Sequence, residues 1–435
     1  MNAYPLTVNF DKALGPVKPM HGVGQPPFTT MNEECFHYLT EAHIPFSRLH
    51  DVGGAYGGGI YVDIPNIFRR FDADENDPAS YDFAFTDWLL SALDRAKCEP
   101  IYRLGVTIEN FYNIRSYRIH PPKDYDKWAR ICEHIISHYI DGWADGFHFN
   151  ITRWEIWNEP DNTLPNFGNQ MWTGTAEDYY RLYAVTAKHL KGVFGDRIMV
   201  GGFASCGFYA LFDEMRSPDN EVYIDYFVNF LKYIREENAP LDFFSWHSYA
   251  DTEHTRGMAR YAVKTLEEYG YGGIETQLNE WNNAPRRQYR GTSYAAAQAA
   301  AMMMAQQREG TSMLCYYDAR VGASTYGGLF NPITFTPFCA YYAFYAFGQL
   351  YAMGTEAECE CAAPGVYAMA ARGQGRKGVM IANAGGESVC LDTGLYGMSL
   401  YIIDSEHMFE KMPWDGGKVT LEAYQTALIL DGEPL

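Results

Sequence analysis

Apolar and polar residues follow two alternating patterns between residues 20 and 347. Short apolar runs predict eight strands, at His21–Gly24, Phe46–His50, Pro100–Gly105, Thr152–Asn158, Ile198–Phe203, Phe243–His247, Glu275–Glu280 and Met313–Asp318. Apolar residues at helical spacing predict helices between them, including Asn32–Ala42, Phe85–Ala96, Tyr125–Tyr139, Ala176–Phe194, Asp225–Glu237, Ala259–Tyr269 and Ser293–Gln307. Alternating strands and helices are typical of a parallel sheet, and eight such units predict a (β/α)8 barrel.

From about residue 350 the pattern changes to short alternating runs divided by Gly and Asp, which are typical of an antiparallel β-sandwich. These runs are Tyr367–Ala371, Gly378–Asn383, Val389–Leu391, Leu400–Asp404 and Ala427–Leu430. Pro5–Phe10 also has strand character, and we expect it to pair into the sandwich. The predicted fold class is therefore α/β, a (β/α)8 TIM barrel over residues 16–347 with a C-terminal antiparallel β-sandwich domain formed by residues 1–15 and 348–435.

Composition and charge exclude several classes of protein. The 435 residues carry 34 Lys and Arg against 54 Asp and Glu, a net charge of −20 without a long basic run, so no nucleic-acid partner is expected. No apolar stretch is long enough to span a bilayer, so we expect no membrane partner. The N-terminus lacks a basic region followed by an apolar one, which predicts a cytoplasmic protein. Nine cysteines without a CxxC pair predict buried, reduced thiols.

The most informative segment is Trp154-Glu155-Ile156-Trp157-Asn158-Glu159-Pro160. Strand alternation would put Glu155, Trp157 and Glu159 on one face, and Pro160 ends the strand. Glu159 is thus expected at the C-terminal end of the fourth strand, where barrel enzymes place their catalytic groups. Neighbouring aromatic rings solvate a carboxylate poorly, which raises its pKa and suits a general acid.

A second carboxyl group, Glu280, ends the predicted seventh strand in Gln277-Leu278-Asn279-Glu280-Trp281-Asn282. Carboxyl groups on the fourth and seventh strands face each other across the barrel mouth. Such a pair can cleave a glycosidic bond, because one group protonates the leaving oxygen while the other attacks the anomeric carbon. Either glutamate alone would be more typical of a surface ion pair, so the prediction depends on the two together.

These two motifs resemble the retaining (β/α)8 glycosidases, and most of all family 39 of the glycoside hydrolases, which includes β-xylosidases and α-L-iduronidases. The resemblance spans most of the barrel. It extends to Arg48-Leu49-His50, Trp246-His247-Ser248-Tyr249 and Gly327-Gly328-Leu329-Phe330-Asn331. It implies that Glu159 is the acid/base and Glu280 the nucleophile. It also implies a trailing β-sandwich and no metal or organic cofactor.

The same resemblance assigns residues around the sugar. Asn158 matches a residue that binds the sugar 2-hydroxyl, and Arg48 matches an arginine beneath the nucleophile. His50, His247 and Tyr249 match positions that line the sugar subsite, although either histidine could equally be structural. The predicted substrate-binding set is completed by Trp281 and Asp51, which directly follow the seventh and second predicted strands, and by Tyr317, near the end of the eighth.

Two strand ends depart from the xylosidase pattern, so the identity of the sugar is left open. Where xylosidases have Glu-Ile-Gly on the third strand, this chain has Arg103-Leu104-Gly105. Where the eighth strand usually brings a Trp, this chain has Tyr316-Tyr317-Asp318. We expect a β-xyloside, followed by a galactoside, an arabinoside or a uronide.

A histidine pair and an arginine-rich segment are two further candidate sites. His134 and His138 have a spacing that can bind zinc, but they lie on a predicted outer helix without a third ligand, so no metal site is predicted. Arg286, Arg287 and Arg290 follow the seventh strand and are either a solvated loop or a clamp for a uronic-acid carboxylate.

The sequence thus predicts a retaining, exo-acting glycoside hydrolase that acts on oligosaccharides. Exo action is inferred from the long segment Val52–Asp82, which would form a loop over the mouth of the barrel. A non-catalytic sugar-binding protein and a transglycosylase on the same barrel remain alternatives. A homo-oligomer is left open as well.

Overall fold

The computed structural model describes residues 3–28, 33–50, 52, 62–107, 119–164, 168–322 and 326–435. Eight parallel strands close into a barrel in the order seven, eight, one, two, three, four, five, six. In chain order they are Gly22–Gly24, Phe46–Leu49, Glu99–Leu104, Arg153–Ile156, Met199–Ser205, Phe243–Ser248, Glu275–Trp281 and Met313–Tyr317. The predicted (β/α)8 barrel is confirmed, and each predicted strand lies within three residues of its observed bounds.

Helices lie between the strands and bury their apolar faces against the barrel. The described helices are His37–Glu41, Ile64–Ile67, Ala84–Arg95, Tyr125–Ile140, Ala176–Phe194, Pro218–Glu236, Thr252–Glu268, Ser293–Gln307 and Cys339–Met353. Several begin at polar caps; for example, the Thr175 hydroxyl accepts from the backbone N–H of Asp178, whose carboxylate accepts in return from the N–H of Thr175. None of the helices in the described ranges is long and apolar enough to cross a bilayer.

The second domain is a nine-stranded, almost entirely antiparallel sheet assembly that encloses its own apolar core. Its strands are Tyr4–Pro16, Thr355–Cys361, Val366–Gly373, Arg376–Asn383, Val389–Asp392, Ser399–Ile403, Met408–Met412, Lys418–Leu421 and Thr426–Leu430. The N-terminal strand pairs antiparallel with Thr355–Cys361 and, at its first residues, parallel with Val389–Asp392. The expected sandwich is confirmed, and the N-terminal segment is part of it.

The helix Cys339–Met353 lies between the two domains. It contacts the barrel helix Ser293–Gln307 on one side and the strands Val366–Gly373 and Arg376–Asn383 on the other. Because both of its sides are covered, its sequence is apolar almost all round, without an exposed polar face. The predicted domain limit at residue 347 falls inside this helix, and the limits themselves stay a prediction.

Candidate active site

The site lies at the C-terminal mouth of the barrel and is organised around one buried arginine. Arg48, on the second strand, is 1% exposed and donates from Nε to Glu155, from Nη1 to Glu280 at 3.0 Å and from Nη2 to Asn158 at 2.5 Å. The other carboxylate oxygen of Glu155 accepts from Asn279 Nδ2 at 2.6 Å. Burial alone would lower the pKa of Arg48, but the carboxylates of Glu155 and Glu280 raise it, so the guanidinium stays charged.

Glu280 is the last residue but one of the seventh strand, and its side chain lies in the mouth. Its Oε1 accepts from the Tyr249 hydroxyl at 2.5 Å, and its Oε2 accepts from Arg48. Burial, together with the neighbouring Glu159 carboxyl group, raises the pKa of Glu280, whereas His247, Arg48 and Tyr249 act in the opposite direction. The carboxylate therefore gains from its partners much of the stabilisation that it loses by leaving water.

Glu159 faces Glu280 across the mouth. Its Oε1 lies 2.7 Å from His247 Nδ1, and its Oε2 accepts from Asn162 Nδ2 at 2.7 Å. The other ring nitrogen of His247 lies 3.8 Å from Glu280 Oε2, so the imidazole sits between the two carboxyl groups. One oxygen of Glu159 lies within 4.8 Å of one oxygen of Glu280.

The backbone around Glu159 differs from the predicted continuous strand. The fourth strand ends at Ile156, and Trp157 and Glu159 adopt left-handed φ values of 73° and 44°. Alternation therefore fails here, and Asn158 and Glu159 both reach the site although a regular strand would put them on opposite faces. Left-handed conformations cost energy for residues other than glycine and concentrate at functional sites.

Two more of the predicted residues, His50 and Tyr317, lie beside the side chains described above. His50 is buried, and burial together with Arg103, Arg48, His247 and Arg320 lowers its pKa well below the ordinary value. Tyr317 belongs to an aromatic group with Tyr249 and Tyr326 beside Glu280.

Trp281 instead packs edge-on against Tyr316 within the main core. Asp51 lies outside the described residues.

Three arginines of the predicted loop do not form one cluster. Arg286 and Arg287 are exposed, whereas Arg290 is half-buried, and its Nε and Nη2 have no hydrogen-bond partner in the described ranges. Burial lowers the pKa of Arg290, and the nearby Asp318 carboxylate acts in the opposite direction. Asp318 is itself paired with Arg320 at 2.8 Å.

Several residues of the site were not singled out from the sequence. Glu155 binds Arg48, which in turn binds Glu280, and the signal for Glu155 was a charged residue inside an apolar strand. Arg103, the departure from the xylosidase pattern, is fully buried and donates from Nη2 to Asp63 at 2.6 Å, while no described residue accepts from its Nε or Nη1. Asp161 accepts from the Ser205 hydroxyl at 2.8 Å.

Glu159, His247 and Glu280 are the one group of His, Cys, Asp or Glu side chains in the described ranges that is spaced to hold a metal ion. A cation there would lie beside the Arg48 guanidinium, which is 3.0 Å from Glu280. Repulsion between like charges opposes binding, so the group suits proton transfer better than metal ligation. On the outer helix, His138 binds the Trp143 carbonyl and Asp87, which is a structural arrangement.

Burial, opposed by hydrogen bonds from Ser205 and Cys206 and reinforced by the charge of Glu159, raises the pKa of Asp161 from 3.8 to about 7. Because the folded protein binds this proton more tightly than the unfolded chain, its contribution is present below pH 3.8 and is lost as the pH rises through 7. We expect this one group to remove about 4 kcal/mol from the free energy of unfolding over that interval.

Urea unfolding of the wild type and Asp161→Asn at about pH 4.5 and about pH 8 measures this, because the titrating groups that do not interact with Asp161 cancel in the difference. The wild type should lose stability relative to the variant as the pH rises. A difference that is independent of pH would contradict the assignment.

The chain is similar in sequence and in fold to known proteins. Residues 47–304 match the profile described as glycosyl hydrolases family 39. A β-xylosidase from Geobacillus stearothermophilus is 27% identical over 221 residues, which cover 48% of this chain and 39% of that protein. A β-xylosidase from Caldicellulosiruptor saccharolyticus is 29% identical over 324 residues, which cover 67% of this chain and 59% of that protein. The matches thus span less than two thirds of either relative.

The crystal structure of a glucosidase from Croceicoccus marinus superposes with a TM-score of 0.79 at 21% identity and covers 98% of both chains. This likeness shows that barrel and sheet domain form one shared architecture. Because the family profile covers more than half of the sequence, the chain belongs to family 39 of the glycosyl hydrolases.

Proposed function

We propose that the protein is a retaining, exo-acting glycoside hydrolase with Glu159 as acid/base and Glu280 as nucleophile. The separation of the two carboxyl groups carries this proposal, because their nearest oxygens lie within 4.8 Å. Retaining glycosidases hold their carboxyl groups about 5–5.5 Å apart, whereas inverting ones need about 6.5–9.5 Å to admit a water molecule.

In the first step Glu159 protonates the leaving oxygen while Glu280 attacks the anomeric carbon and forms a covalent glycosyl-enzyme. In the second step Glu159, now a base, takes a proton from water, which attacks the same carbon and releases the sugar with net retention. The side chain of Asn158 is fixed by Arg48, and its Nδ2 has no hydrogen-bond partner within the described part of the chain. This amide suits the sugar 2-hydroxyl.

Protonation of the pair follows from the different partners of the two groups. Arg48 and Tyr249 donate hydrogen bonds to Glu280 and favour its charged form. Two carboxyl groups at this distance titrate as a pair, and we place their shared proton on Glu159 at neutral pH. Once Glu280 is esterified its charge is gone, so Glu159 releases its proton more readily and can act as the base.

The expected substrate is a β-xyloside at the non-reducing end of an oligosaccharide. Similarity to two β-xylosidases supports this choice. A galactoside, an arabinoside or a uronide is the next candidate, since Arg103 stands where xylosidases have Glu. Exo action and a cytoplasmic location stay predictions, and the oligomeric state stays open.

A panel of nitrophenyl glycosides tests the proposal. It should contain β-xyloside, β-galactoside, β-glucoside, α-arabinosides and uronides, with Glu280→Gln as the control. We expect release of nitrophenol from one sugar, lost in the variant. Silence across the panel together with tight binding of an oligosaccharide would instead indicate a sugar-binding protein. Transfer of the sugar to an excess of acceptor, rather than to water, would indicate a transglycosylase.

The uronide alternative is favoured by one observation: the buried Nε and Nη2 of Arg290 have no acceptor among the residues that the structure describes. Arginine binds planar carboxylates well. If a uronide is the active member of the panel, Arg286, Arg287 and Arg290 changed together to Ala should raise its KM. Unchanged activity on the acidic sugar would remove these arginines from substrate binding.

A further inference from the structure

Next to Glu159, the turn after the fourth strand is hydrogen-bonded to the end of the fifth strand. The turn after the fourth strand carries Glu159 and Asp161, and the fifth strand ends at Ser205. The backbone N–H of Glu159 donates to the Ala204 carbonyl at 3.0 Å. Asp161 accepts from the Ser205 hydroxyl at 2.8 Å and from the N–H of Cys206 at 3.2 Å. Hydrogen bonds therefore join the turns on both sides of Pro160.

Both ends of the Glu159–Ala204 bond have left-handed backbone. The φ of Glu159 is 44° and that of Ala204 is 55°. Such conformations are energetically unfavourable for residues other than glycine and persist only where surrounding contacts hold them. One holding contact is the bond from Ala204 N–H to Ser245 Oγ at 2.9 Å.

Asp161 supplies the other fixed point, because it is 1% exposed and bonds the two residues directly after Ala204. A buried carboxyl group loses hydration, so only its local partners compensate for its burial. No substrate contact is needed to explain its position.

We infer that Asp161 is a positioning residue for the proton transfer by Glu159: by binding Ser205 and Cys206 it fixes the Ala204 carbonyl, which in turn fixes the backbone of Glu159. This inference rests on the proposed role of Glu159. A displacement of about 1 Å in a catalytic group can cost about a hundredfold in rate. The loss should appear only where the leaving group needs a proton.

The experiment measures kcat/KM on aryl glycosides of the sugar found active, from dinitrophenyl to phenyl leaving groups. Asp161→Ala should lower kcat/KM about a hundredfold on the phenyl glycoside and less than about fivefold on the dinitrophenyl glycoside. Asp161→Asn, which keeps one acceptor oxygen, should recover most of the loss. A matched control is Asp242→Asn at the opposite end of the fifth strand, where Asp242 accepts from the N–H of Val200 at 2.8 Å; it should leave the leaving-group dependence unchanged.

Equal losses on all leaving groups, or no loss, would overturn the inference. If Asp161→Ala does not fold, Ser205→Ala removes the same hydrogen bond from the other side. It should lower kcat/KM about tenfold on the phenyl glycoside, with a smaller loss on the dinitrophenyl glycoside. Without that selective loss the inference fails. Glu159→Ala separates the two proposals. If it leaves the leaving-group dependence unchanged, the proposed function fails; if it steepens the dependence and Asp161→Ala does not, only the role of Asp161 fails.

Discussion

Glu280→Gln should lower kcat about 10⁴-fold or more on every glycoside that the wild type hydrolyses. Glutamine keeps the shape of the side chain beside Arg48 and Tyr249, but its amide does not form the glycosyl ester. The measurement is nitrophenol release by purified protein. Mass spectrometry after incubation with a 2-fluoro glycoside should show one added sugar on the wild type and none on the variant.

A matched control lies on the same strand. Glu275 pairs with Arg153 at 2.8 Å near the other end of the seventh strand. Glu275→Gln removes a charge of the same kind without touching the mouth, so its activity should remain within about threefold of the wild type. Full activity of Glu280→Gln, or a covalent adduct on another residue, would end the assignment of Glu280.

The second large effect is expected for Glu159→Ala. Without its general acid the enzyme should lose about 10²- to 10⁴-fold in kcat/KM on glycosides with poor leaving groups. Dinitrophenyl glycosides should still form the glycosyl-enzyme, which then accumulates because no base activates water. Azide needs no base, so it should restore part of the turnover and yield a glycosyl azide.

The configuration of that azide is the decisive readout. A β-glycosyl azide from a β-glycoside requires two displacements at the anomeric carbon and agrees with a nucleophilic Glu280. An α-azide would mean single displacement and would contradict the retaining mechanism. An absence of any azide effect, with activity intact, would remove Glu159 from the reaction.

The eight strands were predictable because a parallel strand buried on both faces is mostly apolar. Helix starts were harder. Pro218–Glu236 begins seven residues before the predicted Asp225, although Ser217 and Pro218 are a recognisable cap and first turn. Cys339–Met353 escaped detection for another reason, because helical periodicity disappears when both sides of a helix are buried.

In the site, pairing Glu159 with Glu280 needed only strand order, since residues that end strands of a closed barrel meet at one mouth. The conformation that aims Glu159 was not predictable by alternation, because the strand stops at Ile156. Partners such as Asp161 and Ser205 lie 44 residues apart, and no local sequence pattern links them. The contacts that tune the catalytic groups are tertiary, and they became visible only in the folded chain.

The strand Tyr4–Pro16 has a consequence for synthesis on the ribosome. Its partner Thr355–Cys361 is translated about 340 residues later, which at about 5–20 residues per second is a delay of roughly 20–70 s. During that interval the barrel can form, while the first strand waits with an unpaired edge. The sandwich can therefore close only after all eight barrel strands, which lie between these two paired strands in the sequence, have been made.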